Sequence, residues 1–232
     1  MRRSDAMSNS GFWESKYAAG HGQRYPWDRV VTFVFRNIPL NVAKNELKIL
    51  EIGFGTGSNL WFAAREGFSV SGVEQSEAAV AVALKRFKQN RLEGDLRIGD
   101  FSSLPFEDNS FDLAIDRASL ACVDQKTATQ SIREVHRCLK AGGKFFSEGY
   151  GSEHTSAKFG QKLENGMTVN ITDGALVGAG DIRFMSKADA FKLFPEGDWR
   201  IEKAERLDKS DFMDANFALE QQWLITAVSE KK

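Results

Sequence analysis

Apolar positions along this chain fall into two alternating kinds of run. Blocks of strand length cover residues 47–52, 68–73, 95–98, 111–115 and 144–147. Between them, apolar residues recur at helical spacing: Leu60, Trp61, Ala63 and Ala64 in 58–66, Val80, Leu84 and Phe87 in 76–90, and Ile132, Val135 and Leu139 in 126–139. Ser76 is placed to cap the second of these helices, and Gly142 with Gly143 to stop the third. Strands alternating with helices predict a parallel sheet covered on both faces. Near the end, Ser186 caps a helix running to Phe194, which Pro195 terminates. Runs 199–207 and 217–228 follow with no helix between them, so they are expected to pair antiparallel.

Two regions depart from this rhythm. Residues 12–19 read as a short helix, and Pro26 opens a second one with a stripe of Val30, Val31, Val34 and Phe35 that Pro39 ends. Trp13, Tyr17, Tyr25 and Trp27 are interleaved through this flap, either as packing or as a lid. Residues 151–181 are rich in Gly, Ser, Thr and Asn and are expected to form a mobile cover or a short hairpin. Residues 1–10 read as a polar, flexible tail without the apolar core of a signal peptide, and Met7 is a second candidate start. The expected organisation is one domain over residues 1–232, with a tail at 1–10, a helical flap at 11–40 and a substrate-side insertion at 151–185.

The most informative stretch is 47–74, LKILEIGFGTGSNLWFAAREGFSVSGVE. It reads strand, glycine turn, helix, strand, acid, which is a nucleotide-binding βαβ unit. Glycines admit a sharp turn and close approach of a ligand. The helix start offers unpaired N–H groups, and a carboxylate at the end of the second strand can accept from a ribose diol. The glycine spacing is ExGxGxG, and Ser58 stands where a dinucleotide site has its third glycine. Glu51 sits badly beside a pyrophosphate and suits a ligand with a positive charge, such as an α-amino group or a sulfonium. Asp100 follows the third strand, so three strand tips in a row end near an acid.

Composition narrows the classes. The 232 residues, 42% hydrophobic and 27% charged, suit a single soluble α/β domain. The net charge is −1 with no long Lys/Arg run, which argues against nucleic acid as a partner. Two cysteines and three histidines show no ligand-like clustering, so no metal is expected. No run approaches a membrane span of about 20 apolar residues. A cytoplasmic monomer or homodimer is the default expectation.

LEIGFGTGSNL, GVEQSEAAV, GDFSSLPFEDNSFDLAID and EVHRCLKAGGKFF occur in this order across roughly residues 47–147. In these motifs the chain resembles the class I S-adenosylmethionine-dependent methyltransferases, most closely the small-molecule branch around ubiquinone-biosynthesis-type enzymes. The resemblance implies a Rossmann-like, doubly wound, seven-stranded sheet, mostly parallel with the last strand antiparallel, plus the N-terminal helical flap. It implies S-adenosyl-L-methionine as cofactor and O- or N-methylation of a small-molecule acceptor by in-line displacement. It also assigns roles. Gly53, Gly55 and Gly57 form the turn beneath the cofactor, with Asn59 just beyond. Glu51 and the backbone at Asp116 hold the methionine amino end. Glu74, with Gln75 beside it, binds the ribose, and Asp100 with Phe101 binds the adenine. Tyr17 and Trp27 look like the aromatic residues placed over the methionine moiety.

The acceptor end is less determined. Arg117 reads either as a structural ion pair with Asp116, Glu148 or Asp124, or as the group that orients an anion on the acceptor. His154, Tyr25 and Tyr150 are candidate bases or anchors, each against a packing or solvated-loop role. Rival readings are an NAD(P)-dependent oxidoreductase and a non-catalytic S-adenosylmethionine-binding protein.

Overall fold

The computed structural model describes residues 9–39, 41–211, 213 and 218–231. The tail at 1–8, Met7 and Phe217 lie outside the described residues. The chain opens with helices α1 (Asn9–Ala18) and α2 (Asp28–Arg36), then enters β1 (Lys48–Ile52), α3 (Ser58–Arg65), β2 (Ser69–Glu74), α4 (Glu77–Asn90) and β3 (Asp95–Ile98). β4 (Phe111–Arg117), α5 (Gln125–Cys138) and β5 (Leu139–Gly151) follow. The insertion holds a one-turn helix α6 (Thr155–Lys158), a hairpin of β6 (Gln161–Lys162) and β7 (Thr168–Val169), and β8 (Phe184–Met185). Helix α7 (Lys187–Lys192) and strands β9 (Trp199–Ser210) and β10 (Leu219–Ser229) close the chain.

The main sheet runs β3-β2-β1-β4-β5-β10-β9, with β8 appended to β5. Pairings from β3 through β5 are parallel, and β10 is antiparallel to both β5 and β9. The order reverses between β1 and β4, so a crevice opens beyond their C-terminal ends, where open α/β sheets bind ligands. Alternation along the strands feeds two cores. Leu50, Ile52 and Ala114 join Ile132 and Val135 of α5 on one face. Ile49, Leu113 and Ile115 join residues of α2, α3 and α4 on the other. Glu51 shares the α3 face with Ile49, and its carboxyl group is therefore delivered under the glycine turn.

Three local expectations change. α2 buries Val30, Phe33 and Val34, whereas Phe35 is 43% exposed and rests edge-on against Phe62 and Phe68. In α4 the buried stripe is Ala79, Val80, Ala83 and Phe87, and Leu84 faces out. The reason is contact with the turn: a Cβ on Gly57 would come within 2.9 Å of Ala83 Cβ, so this helix docks by its small residues. Finally, Gly142 and Gly143 do not form a loop. α5 ends at Cys138 and β5 begins at once, and the two glycines lie in the strand where its register with β4 shifts.

Candidate functional site

A cavity of about 480 Å³ lies at the C-terminal ends of β1, β2 and β4, beneath α1 and the loop that follows it. Its floor is the glycine turn. Gly53 (φ +62°) and Gly55 (φ +54°) have left-handed backbone that L side chains adopt at a cost. Space forbids side chains there as well. A Cβ on Gly53 would collide with Ser119, and one on Gly55 would lie 2.8 Å from the Tyr17 hydroxyl.

Two carboxylates face this floor. Glu51 Oε1 accepts from Asn59 Nδ2 at 2.7 Å, while its Oε2 is buried with no hydrogen-bond partner. Burial pushes its pKa up to about 8, only partly opposed by the Asn59 bond. Glu74 is held by two backbone donors, Gly55 N–H to Oε2 and Ser76 N–H to Oε1, both at 2.9 Å. Burial raises its pKa, and those hydrogen bonds lower it. Each Glu74 oxygen retains a lone pair for a ligand.

The roof is tied to the floor by side chains distant in sequence. Asn59 Oδ1 accepts from Trp27 N–H at 3.0 Å, so one amide links Glu51 to the flap. Glu14 of α1 accepts from Ser76 Oγ at 2.6 Å and reaches Ala78 N–H at 3.3 Å, at the start of α4. Trp13, Tyr17 and His21 form a ring cluster over the turn. Burial, with Glu74 as a secondary cause, holds the Tyr17 phenol protonated.

At the far end, the Arg117 guanidinium sits 3.8 Å over the Trp27 ring. Its Nε is 3.4 Å from Glu148 Oε2, yet neither atom completes a hydrogen bond. Glu148 Oε1 is already taken by Arg29 at 2.9 Å, and Arg29 also reaches Gln222. Of the ion-pair partners considered for Arg117, Glu148 is therefore the one found. Asp124 instead caps α5 through Thr127 N–H.

The structure gathers Tyr17, Trp27, Glu51, Gly53, Gly55, Asn59, Glu74, Gln75, Phe101 and Arg117 around this cavity. Other expected residues stand elsewhere. Gly57 packs on α4, as described. For Asp116 the expectation concerns the backbone; its side chain lies buried behind the wall, accepting from Ser147, Ser119 and Leu120, with its pKa pushed up to about 6 by burial. Asp100 is exposed, and its side chain accepts from Ser102 N–H within its own turn at 2.7 Å. Tyr25 is 62% exposed, beneath Arg24 and away from the cavity. His154 is buried outside the cavity, where Nδ1 accepts from Ser156 N–H and caps α6. These two are corrections to the candidate bases: one is at the surface, and the other is committed to backbone.

Sequence reasoning missed three contributors. Ser119 ties the turn after β4 to the carbonyls of Ile52 and Gly53, both at 3.1 Å. Cys122 lines the cavity, its thiol pushed up to about 12 by burial. Arg183, 2% exposed, staples the insertion to that same turn through the carbonyls of Leu120 and Val123, which brings Ala179 and Ile182 to the cavity wall. None had a sequence signal beyond an arginine in an apolar context.

The profile of a methyltransferase-domain family matches residues 49–143. That segment is similar to a methyltransferase domain, of the S-adenosylmethionine-dependent class to which the solved structure below belongs. Among curated proteins, an uncharacterised protein of Haemophilus influenzae is 31% identical over 99 residues, which is 41% of this chain and 39% of that one. Sterol methyltransferase-like 3 of Botryococcus braunii is 33% identical over 102 residues, 43% of this chain and 26% of its own length. The chain thus spans well under half of the curated relatives it matches. A solved S-adenosylmethionine-dependent methyltransferase from Methanosarcina mazei superposes with a TM-score of 0.71 at 20% identity, over 90% of this chain and all of that one.

S-adenosylmethionine is the cofactor of that class, and the residues present fit it. The orphaned Glu51 oxygen meets the requirement for a cationic amine. Glu74 offers free lone pairs beside the glycine turn. Among the described residues, no group of three or more His, Cys, Asp or Glu is placed to hold a metal, and no helix is long and apolar enough to cross a membrane.

Proposed function

We propose that this protein transfers a methyl group from S-adenosylmethionine to an oxygen or nitrogen of a small-molecule acceptor. The observation that carries the reading is Glu51: a buried carboxylate oxygen without a partner, facing a glycine turn that admits no side chain. When bound, the cofactor supplies an electrophilic methyl group on a sulfonium, with a neutral thioether as leaving group. Glu51 holds the amino end, Glu74 and Gln75 the ribose, and Phe101 flanks the adenine. Tyr17, Trp13 and Trp27 cover the methionine arm and exclude water.

The protein's share of rate enhancement is alignment, which contributes roughly 7–11 kcal/mol where a bimolecular step becomes intramolecular. The cavity wall contains two carboxylates, Glu51 and Glu74, and both serve the cofactor. Tyr150 and Cys122, at the acceptor end, are held protonated by burial. Among the described residues no carboxylate is left for the acceptor, and the imidazole on the wall, His21, sits in the ring cluster over the turn, which favours a nucleophile that arrives unprotonated.

Calorimetry of the chain with S-adenosylmethionine, S-adenosylhomocysteine and NADH tests this. Binding of the first two and not the third is the expected result. Heat with NADH alone favours the oxidoreductase reading. Binding of the methyl donor with no turnover across an acceptor panel reduces the function to cofactor binding.

A further inference from the structure

We propose that Arg117 is the recognition group for a carboxylate on the acceptor, so that the substrate class is a small organic acid with a flat, apolar body. This deepens the methyltransferase reading and rests on it. Arg117 is well placed for an anion and incompletely paired: its partners are the Tyr150 hydroxyl and Glu148, and its Nε completes no hydrogen bond. Its guanidinium lies over the Trp27 indole at 3.8 Å, with its side chain 14% exposed. A covered face leaves the planar donor fork to bind in its own plane, which is how carboxylates are gripped. Arg117 and Trp27 both line the cavity, with Tyr150 beside them, whereas Glu148 and Arg29 stand behind its wall.

The charge balance points the same way. Glu148 is satisfied by Arg29, and Arg117 approaches only its second oxygen, without a hydrogen bond on either side. Two cations, Arg29 and Arg117, share the Glu148 carboxylate, and Asp116 behind the same wall is offset by Arg183, which leaves this end of the cavity with an excess of one positive charge. A single-charged anion neutralises that excess. A phosphate dianion would overshoot it and leave a buried negative charge. The neighbouring wall is apolar, formed by Val123, Ala179 and Ile182 with the Trp27 ring, and suits a planar hydrocarbon body.

The test uses the full chain loaded with S-adenosylhomocysteine and titrated with benzoate, benzamide and phenyl phosphate. Wild type is expected to bind benzoate at least about tenfold more tightly than benzamide or phenyl phosphate, as a charge-assisted pair requires. Arg117→Met should lose that preference while its affinity for S-adenosylhomocysteine stays within about threefold of wild type. Should the methionine variant fail to fold, Arg117→Lys keeps the charge without the fork and should weaken benzoate by about three- to tenfold. Benzoate binding no better than benzamide, or unchanged in both variants, overturns the proposal. Tighter binding of phenyl phosphate overturns the single-charge argument. Loss of S-adenosylhomocysteine binding in Arg117→Met reassigns the residue to the cofactor's own carboxylate. Failure of wild type to bind S-adenosylhomocysteine at all sinks the methyltransferase reading and this proposal with it.

Discussion

The floor and the roof of the cavity are built by different means. The floor spans one short stretch from β1 to the start of α4, and its demands are on the backbone: positive φ at Gly53 and Gly55, and N–H groups aimed at Glu74. The roof is held by contacts far apart in the sequence, such as Trp27 with Asn59, 32 residues away, and Glu14 with Ser76, 62 away. A floor of this kind fixes what the cofactor must be. The roof fixes what else may enter, and a different flap on the same floor gives a different substrate.

The floor should break first and most severely. Gly53→Ala imposes left-handed strain of ~1–2 kcal/mol and a collision with Ser119. Overpacking adds ~1–3 kcal/mol, so stability should fall by roughly 2–5 kcal/mol, with cofactor binding lost. Gly142→Ala is the control. Its φ is +75°, but nothing lies within 4 Å of the added Cβ, so only the strain should register. Equal melting temperatures for the two variants would mean that the Ser119 contact is soft.

Glu51 comes next. Its pKa is raised from 4.5 to about 8 in the folded protein, so the protonated form is favoured by folding. The associated stability is fully present below pH 4.5 and is lost as pH rises towards 8. Cofactor-free Glu51→Gln should therefore lack this decline and melt higher than wild type at pH 8. Its affinity for S-adenosylhomocysteine should nonetheless drop by ~1.5–3 kcal/mol, because a charge-assisted bond is gone. At pH 7 the wild type should release a proton on binding, seen as a dependence of calorimetric heat on buffer, and Glu51→Gln should not.

The same contrast explains what could be read in advance. The turn was legible because only glycine satisfies its backbone, and the caps at Ser76 and Ser186 because one hydroxyl answers one exposed N–H. The parallel pairing of β1 with β2 and β4 followed from strand–helix alternation, and the antiparallel pairing of β9 with β10 from the missing helix between them, whereas the order of strands across the sheet did not. Faces of helices were less secure. Leu84 fits an apolar stripe as well as Ala83 does, and only the close approach to Gly57 decides between them. Asp100 lies at a strand tip, yet one of its carboxylate oxygens accepts within its own turn. His154 and Tyr25 carry the right chemistry at places that only tertiary structure reveals. The acceptor end stayed open for the same reason, since Arg183 and Ser119 act through carbonyls that sequence does not display.

Asn59 joins the two regions, so its loss should be felt in both. Asn59→Ala removes the donor to Glu51 and the acceptor for Trp27 N–H, at a cost of ~1–2 kcal/mol in cofactor affinity. Tryptophan fluorescence should report a loosened Trp27. An affinity loss without that change would separate floor from roof and deny the amide its bridging role.

The smallest effect on the whole fold is expected at Glu14. Its carboxylate sits at the N-terminus of α4, where it receives the Ser76 hydroxyl and approaches Ala78 N–H. A negative charge there gains ~0.3–1 kcal/mol from the helix dipole. Ser76 goes on capping Ala79 without it, so Glu14→Ala should barely shift the melting temperature. What should change is local. α1 contacts α4 through this carboxylate, and Tyr17, one turn further on, rides over Gly55. Amides in residues 11–21 should exchange faster by severalfold, and S-adenosylhomocysteine should dissociate faster with little change in its association rate. Unchanged exchange would show that the rings of Trp13, Tyr17 and His21 hold the roof down by packing alone, with the carboxylate serving only α4.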